Sequence, residues 1–186
     1  MATVRSSRSR APRRFRLGFT LIEAALATAI VGMGILSMVR LVAACTQGNS
    51  LAKQVTTATL LADHIQEAMA GLPINDPYLV NTYFGPEPGE TLPTFNDIDD
   101  FDASSFNPPI DSMRNRLVLF PQYTQAVSVW PVLPNQLNGN TNPTAPTIAK
   151  STYTGAVRVT VRILYQRVPT EPAAEVYRTS WIRMDR

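Results

Sequence analysis

With 186 residues, 45% of them hydrophobic, the chain can bury the core of one modest domain, which excludes a large enzyme. The formal charge of +3 arises from Arg5, Arg8, Arg10, Arg13, Arg14 and Arg16. The rest of the chain is slightly acidic and carries no basic patch interleaved with aromatics, so composition gives no support to a nucleic-acid partner. Cys45 is the only cysteine, which excludes an intrachain disulfide and a thiolate metal site within one chain.

In chain order, residues 1–18 form an Arg- and Ser-rich leader without periodicity, ending at Gly18. Residues 19–40 are apolar apart from Thr20, Glu23, Thr28, Ser37 and Arg40, and are of the length that spans a bilayer. The arginines before this run predict a cytoplasmic N-terminus and an exported remainder. Over 41–71 apolar residues recur at intervals of three and four, at Leu41, Cys45, Leu51, Ala52, Val55, Ala62, Ile65 and Met69. This predicts an amphipathic continuation of the same helix, ending at Gly71 with Pro73 beyond it.

Residues 72–115 hold seven prolines among many Asp and Asn, without sustained period, and read as a long structured loop. Tyr78, Tyr83, Phe84, Phe95, Phe101 and Phe106 lie in it, either to pin the loop onto the helix and sheet or to offer a contact surface. Residues 116–186 carry strand signals at Arg116–Phe120, Gln125–Trp130, Gly155–Gln166 and Glu175–Met184. The third is clearest, with Val157, Val159, Val161 and Ile163 alternating with Arg158, Thr160 and Arg162. Residues 134–146 read as an exposed loop and 168–174 as a wide hairpin. The predicted fold is α+β, a long N-terminal helix on an antiparallel sheet of about four strands.

The junction carries the functional signal: Arg13-Arg14-Phe15-Arg16-Leu17-Gly18, then Phe19-Thr20-Leu21-Ile22-Glu23. Gly18 through Glu23 resembles the N-terminal processing signal of type IV prepilins and type II secretion pseudopilins. That resemblance implies a pilin-like fold, cleavage between Gly18 and Phe19 by a prepilin peptidase and methyltransferase, N-methylation of Phe19, and an assembly role for Glu23. It further implies other pilins or pseudopilins and an inner-membrane assembly platform as partners. The chain would reside in a bacterial inner membrane before entering a periplasmic or surface filament. Residues 33–69 are similar to V-type minor pilins and I-type minor pseudopilins, and no C-terminal cysteine pair of the major-pilin kind is present.

The physics of this junction stands beside the resemblance. A carboxylate within a membrane helix costs about 2.5 to 3.5 kcal/mol on insertion scales, so Glu23 needs a partner. Cleavage at Phe19 would create a cationic amine one turn away, and methylation would preserve its charge. That amine, or a neighbouring subunit's, could pair with Glu23 and set axial register. Thr20-x-x-Glu23 also fits a plain capping box, compatible with both roles. Gly32 and Gly34 mark either close helix packing or ordinary glycines in a membrane helix.

Other motifs compete. Leu41-Val42-Ala43-Ala44-Cys45 is similar to a lipobox, giving a lipid-anchored periplasmic protein, or a single-pass anchored binding domain, as the alternative; Glu23 and Arg40 inside the signal oppose it. A secretory cleavage after Ala27-Thr28-Ala29 is conceivable, but the apolar run continues past it. His64 is the sole histidine, and no catalytic triad, phosphate loop or paired histidines can be recognised, so no enzyme is expected. Asp97, Asp99, Asp100 and Asp102 form an acidic run that is either a solvated loop or a calcium site. The run lacks an EF-hand's Gly and distal Glu, and lies ahead of the sheet, unlike the C-terminal calcium loop of some major pseudopilins. No other cofactor is indicated.

Overall fold

A computed structural model describes residues 18–74, 84–137, 148–150, 152 and 154–185. One helix, α1 (Leu21–Met69), is followed by strands β1 (Ser105–Phe106), β2 (Tyr123–Pro131), β3 (Ala156–Tyr165) and β4 (Ala174–Met184). Contacts divide the chain into two compact units, Met1–Gly48 and Asn49–Arg186.

In the first unit, Thr20 caps α1: its Oγ1 accepts the Glu23 N–H at 3.3 Å, and its carbonyl accepts the Ala24 N–H at 3.1 Å. The helix runs unbroken through Gly32 and Gly34. Thr28, Ser37 and Thr46 donate their hydroxyls to carbonyls four residues back, so each of these hydroxyls is satisfied locally. From Leu21 to Gly48 none of its residues is buried. It is long and apolar enough to cross a membrane, by length and composition.

In the second unit the sheet is antiparallel throughout, in the order β1-β2-β3-β4. β2 alternates strictly, with Tyr123, Gln125, Val127, Val129 and Pro131 buried. Val157, Val159, Val161 and Ile163 of β3 share that inner face, as their alternation predicts. Against it lie Ala58, Leu61, Ala62, Ile65 and Met69 of α1. Ala58 and Ala62 are small, and so let the helix approach. The loop segment adds Phe95, Ile98, Phe101, Phe106 and Ile110 to the same core. Phe95, Phe101 and Phe106 form an edge-to-face series with ring centroids 5.1 and 6.4 Å apart. These three aromatics therefore pin the loop, Phe84 is half-buried against the core, and Tyr78 and Tyr83 lie outside the described residues.

Three sequence expectations are corrected. Arg116–Phe120 is not a strand: Arg116 makes one isolated bridge to Ile110, while Val118 and Leu119 are 70% and 85% exposed. The fourth strand is Ser105–Phe106, inside the segment expected to be loop. The helical core stripe begins at Ala58, since Leu51 is 59% and Val55 38% exposed, and α1 ends at Met69, with Ala70 and Gly71 in a turn. Arg183 of β4 donates to the Ala70 carbonyl at 3.0 Å, satisfying a group the helix end leaves open. The 168–174 connection is a hairpin between β3 and β4 as expected; of residues 134–146, those from 138 onward lie outside the described residues.

Gln125 joins the layers. Fully buried on the inner face of β2, its Nε2 donates to the Leu61 carbonyl of α1 at 2.8 Å and to the Ile110 carbonyl at 3.0 Å. Its Oε1 accepts the Ile110 N–H at 2.7 Å. Gln125→Ala strands a buried backbone donor and opens a cavity, and should cost about 3 kcal/mol of stability. Thermal unfolding of the full chain in detergent would check this; a loss of less than about 1 kcal/mol would mean the amide is replaceable by water.

Candidate functional site

Two places concentrate chemistry, one in each unit. In the first, Gly18, Phe19 and Thr20 precede α1 outside any regular element, so the Gly18–Phe19 peptide is non-helical and exposed, with Phe19 76% accessible. Glu23 follows in the first turn. Phe19, Ile22, Leu26, Ala27 and Ile30 line the same face as Glu23, making it the single carboxylate of an apolar stripe. Among the described residues no cation pairs with it. Cys45 lies within α1, exposed, in an uninterrupted helical stretch five residues after Arg40.

The second site is acidic and buried. A single 3-10 turn, Asp99–Phe101, sits between the end of α1 and β1. Asp97 and Asp100 bond across it reciprocally: Asp97 Oδ1 accepts the Asp100 N–H at 3.1 Å, and Asp100 Oδ2 accepts the N–H groups of Asn96 and Asp97 at 2.8 and 3.2 Å. Asp99 Oδ2 accepts the N–H of Gly85 at 3.1 Å, where φ is +100° and a side chain would be strained. The preceding segment brings in Glu87 and Glu90, with the Glu87 N–H donating to Glu90 Oε2 at 3.1 Å. Carboxylate oxygens of Glu87, Asp97 and Asp100 lie within 4.8 Å of one another.

Local sequence explains the burial. Ile98 and Phe101 alternate with the acids and insert into the core, pulling the intervening Asp residues down with them. Asp97, Asp99 and Asp100 are left 1%, 3% and 0% exposed. Arg114 secures the segment by donating to the Phe95 carbonyl at 2.6 Å and lying over the Phe101 ring at 5.5 Å. Its charge is directed at carbonyls and a ring, and among the described residues no cation pairs with Glu87, Asp97, Asp99 or Asp100.

The electrostatic consequence is nearly uniform in sign. Burial pushes Asp97 up to about 8, with neighbouring Asp99 adding to the shift. Burial and the contact with Glu90 raise Glu87 to about 7, while burial raises Asp100 to about 6. Asp99 is also raised by burial, and Glu90 alone is lowered, by its contact with Glu87.

Of the four acids in the sequence run, Asp97, Asp99 and Asp100 are thus brought together and Asp102 is not. Asp102 accepts the Val129 N–H at 2.8 Å and is ion-paired with Lys150, whose ammonium lies 4.3 Å from the Trp130 ring centroid. Sequence reasoning missed Glu87 and Glu90. The only available signal was a second acidic pair, spaced three apart in Pro-Glu-Pro-Gly-Glu, ahead of the Asp run. His64 is half-buried on α1 and belongs to neither site.

Raised carboxyl groups hold protons in the folded state that the unfolded chain has already released, so stability falls as pH rises from about 4 toward about 8. Glu175 is held down to about 2 by Arg178 and Arg162, so its opposite contribution grows up to about pH 5.5 and is constant above that. Without divalent cations, the full chain should therefore melt several degrees higher at pH 5 than at pH 8, and Asp97→Asn should flatten the difference. Melting curves in a chelator would test it; a melting temperature that rises with pH over this window would contradict the assignment. Comparison with protein-family models, with curated proteins and with solved structures returned no match.

Proposed function

We propose that this chain is a prepilin-like filament subunit, of the minor kind, belonging to a type IV pilus or a type II secretion pseudopilus. A peptidase cleaves between Gly18 and Phe19, the new Phe19 amine is methylated, and the helix from Phe19 onward holds the subunit in the inner membrane. Six leader arginines keep the N-terminus cytoplasmic and leave residues 49–186 on the exported side. An assembly platform then transfers the helix from lipid to a filament of other pilins.

The observation that carries this reading is Glu23, a lone carboxylate on an apolar helical face, one turn after an exposed, non-helical Gly18–Phe19 bond. A membrane protein with no use for that charge would not retain it readily. A cationic amine on an adjacent helix supplies the partner, and pairing in apolar surroundings selects one axial register. The exposed apolar residues from Leu21 to Val42 supply the helix-packing surface once lipid is left behind. The lipid-anchored alternative would require cleavage before Cys45, inside a helical stretch without a break and close after Arg40.

Mass spectrometry of the mature N-terminus, from membranes and from sheared filaments, tests the proposal. Methylated Phe19 is expected; a diacylglyceryl-modified Cys45 or an intact residue 1–18 segment would overturn it. Glu23→Gln should be processed normally yet enter filaments on the order of a hundredfold less efficiently, as expected for losing about 3 kcal/mol of a desolvated ion pair. Normal incorporation of that variant, measured by immunoblot of sheared filaments, would remove Glu23 from the assembly step.

A further inference from the structure

We infer that the buried acidic cluster is a binding site for a hard divalent cation of the calcium class, with Glu87, Asp97 and Asp100 as its carboxylate ligands. This is independent of the filament reading, since it concerns only the second unit.

Three observations converge. Glu87, Asp97 and Asp100 offer oxygens within 4.8 Å of one another, a spread that one ion can bridge with oxygen ligands at about 2.3 to 2.6 Å. Asp100 is fully buried and Asp99 nearly so, yet Oδ1 of each has no hydrogen-bond partner, and neither has Oε2 of Glu87. Buried polar atoms are ordinarily satisfied, and a carboxylate oxygen that meets only other carboxylates is the most unfavourable exception. Finally, five acids, Glu87, Glu90, Asp97, Asp99 and Asp100, gather where no lysine or arginine among the described residues pairs with them.

The ligand chemistry narrows the ion. All donors are carboxylate oxygens, and among the described residues no histidine or cysteine joins them, which disfavours zinc and copper. A protein-built group of several carboxylates suits calcium, whereas magnesium keeps most of its water and few protein ligands. Other oxygens of the cluster are already used to shape the site: Asp97 and Asp100 cap each other's backbone, and Asp99 holds Gly85. The turn is thus braced by N–H donors around its rim and lacks only positive charge at its centre. An ion there would fasten residues 84–90 to the 97–100 turn, both of which lie between α1 and the sheet in sequence.

Isothermal titration of Ca²⁺ into the full chain, chelator-stripped and held in detergent at pH 8, tests the site. One ion per chain, saturating with Kd below about 1 mM, and a rise in melting temperature that a chelator reverses, are expected. Asp97→Asn and Asp100→Asn each keep an oxygen for the backbone donors, so both should fold and bind at least about tenfold more weakly. Glu67→Gln, on the exposed face of α1, should bind as the parent does. No saturable binding by the parent chain would overturn the inference, whatever the variants do. So would binding that survives the combined Glu87→Gln, Asp97→Asn and Asp100→Asn substitution. A parent that ignores Ca²⁺ while Asp97→Asn melts higher would identify instead a cluster that shares protons.

Discussion

The fold of residues 49–186 depends on one buried amide. A helix laid across a sheet meets it through side chains, and apolar side chains slide; nothing in Ala58, Leu61, Ala62 and Ile65 fixes where along β2 and β3 they rest. Gln125 removes that freedom by bonding the helix backbone at Leu61 and the loop backbone at Ile110 from one position on the sheet. Three hydrogen bonds in a dry interior are directional, so the helix, loop and sheet are locked in a single arrangement. Arg183 repeats the device at the helix end, through the Ala70 carbonyl, with an exposed rather than a buried partner.

With the layers fixed, residues 95–110, ahead of β2, become part of the core. Phe95, Ile98, Phe101, Phe106 and Ile110 enter from a segment whose regular structure is one 3-10 turn, a two-residue strand and the isolated bridge at Ile110. Such a segment has few backbone ladders, so its polar groups must be satisfied one at a time. Asp97, Asp99 and Asp100 do this for Asn96, Asp97, Asp100 and Gly85, which keeps their carboxylates at the buried turn that Ile98 and Phe101 draw into the core. The concentration of like charge is the cost of stabilising an irregular loop with acidic side chains.

How much of this was legible depends on period. β2 alternates along its whole length and β3 from Val157 to Ile163, whereas β4 does not alternate and was located by its β-branched and aromatic composition. Ser105–Phe106 is too short to show a period, and it pairs because Phe106 is drawn into the core. Arg116–Phe120 has the composition of a strand but no neighbour to pair with beyond Ile110, and composition cannot report a missing partner. The inward position of Gln125 follows from the needs of Leu61 and Ile110, which no sequence displays. The acidic run was visible, but its members were not: Asp102 leaves to meet Lys150, and Glu87 arrives from ten residues before Asp97.

On the readings proposed, both sites pose the same electrostatic problem with different solutions. A carboxylate in low dielectric needs a cation at contact distance, and neither Glu23 nor the 87–100 cluster receives one from a described side chain. For Glu23 the surroundings are a helix face in lipid, where a free metal ion would lose its hydration with only one carboxylate in return. A tethered amine on a neighbouring helix, already desolvated by its own chain, is the cation that fits. For the cluster the surroundings are several carboxylates fixed within a folded unit, too many for one amine and too buried for a long side chain to enter. A small divalent ion offers two charges without side-chain entropy and can accept oxygens from several directions at once. The number of carboxylates that converge therefore decides whether a subunit or an ion completes the site.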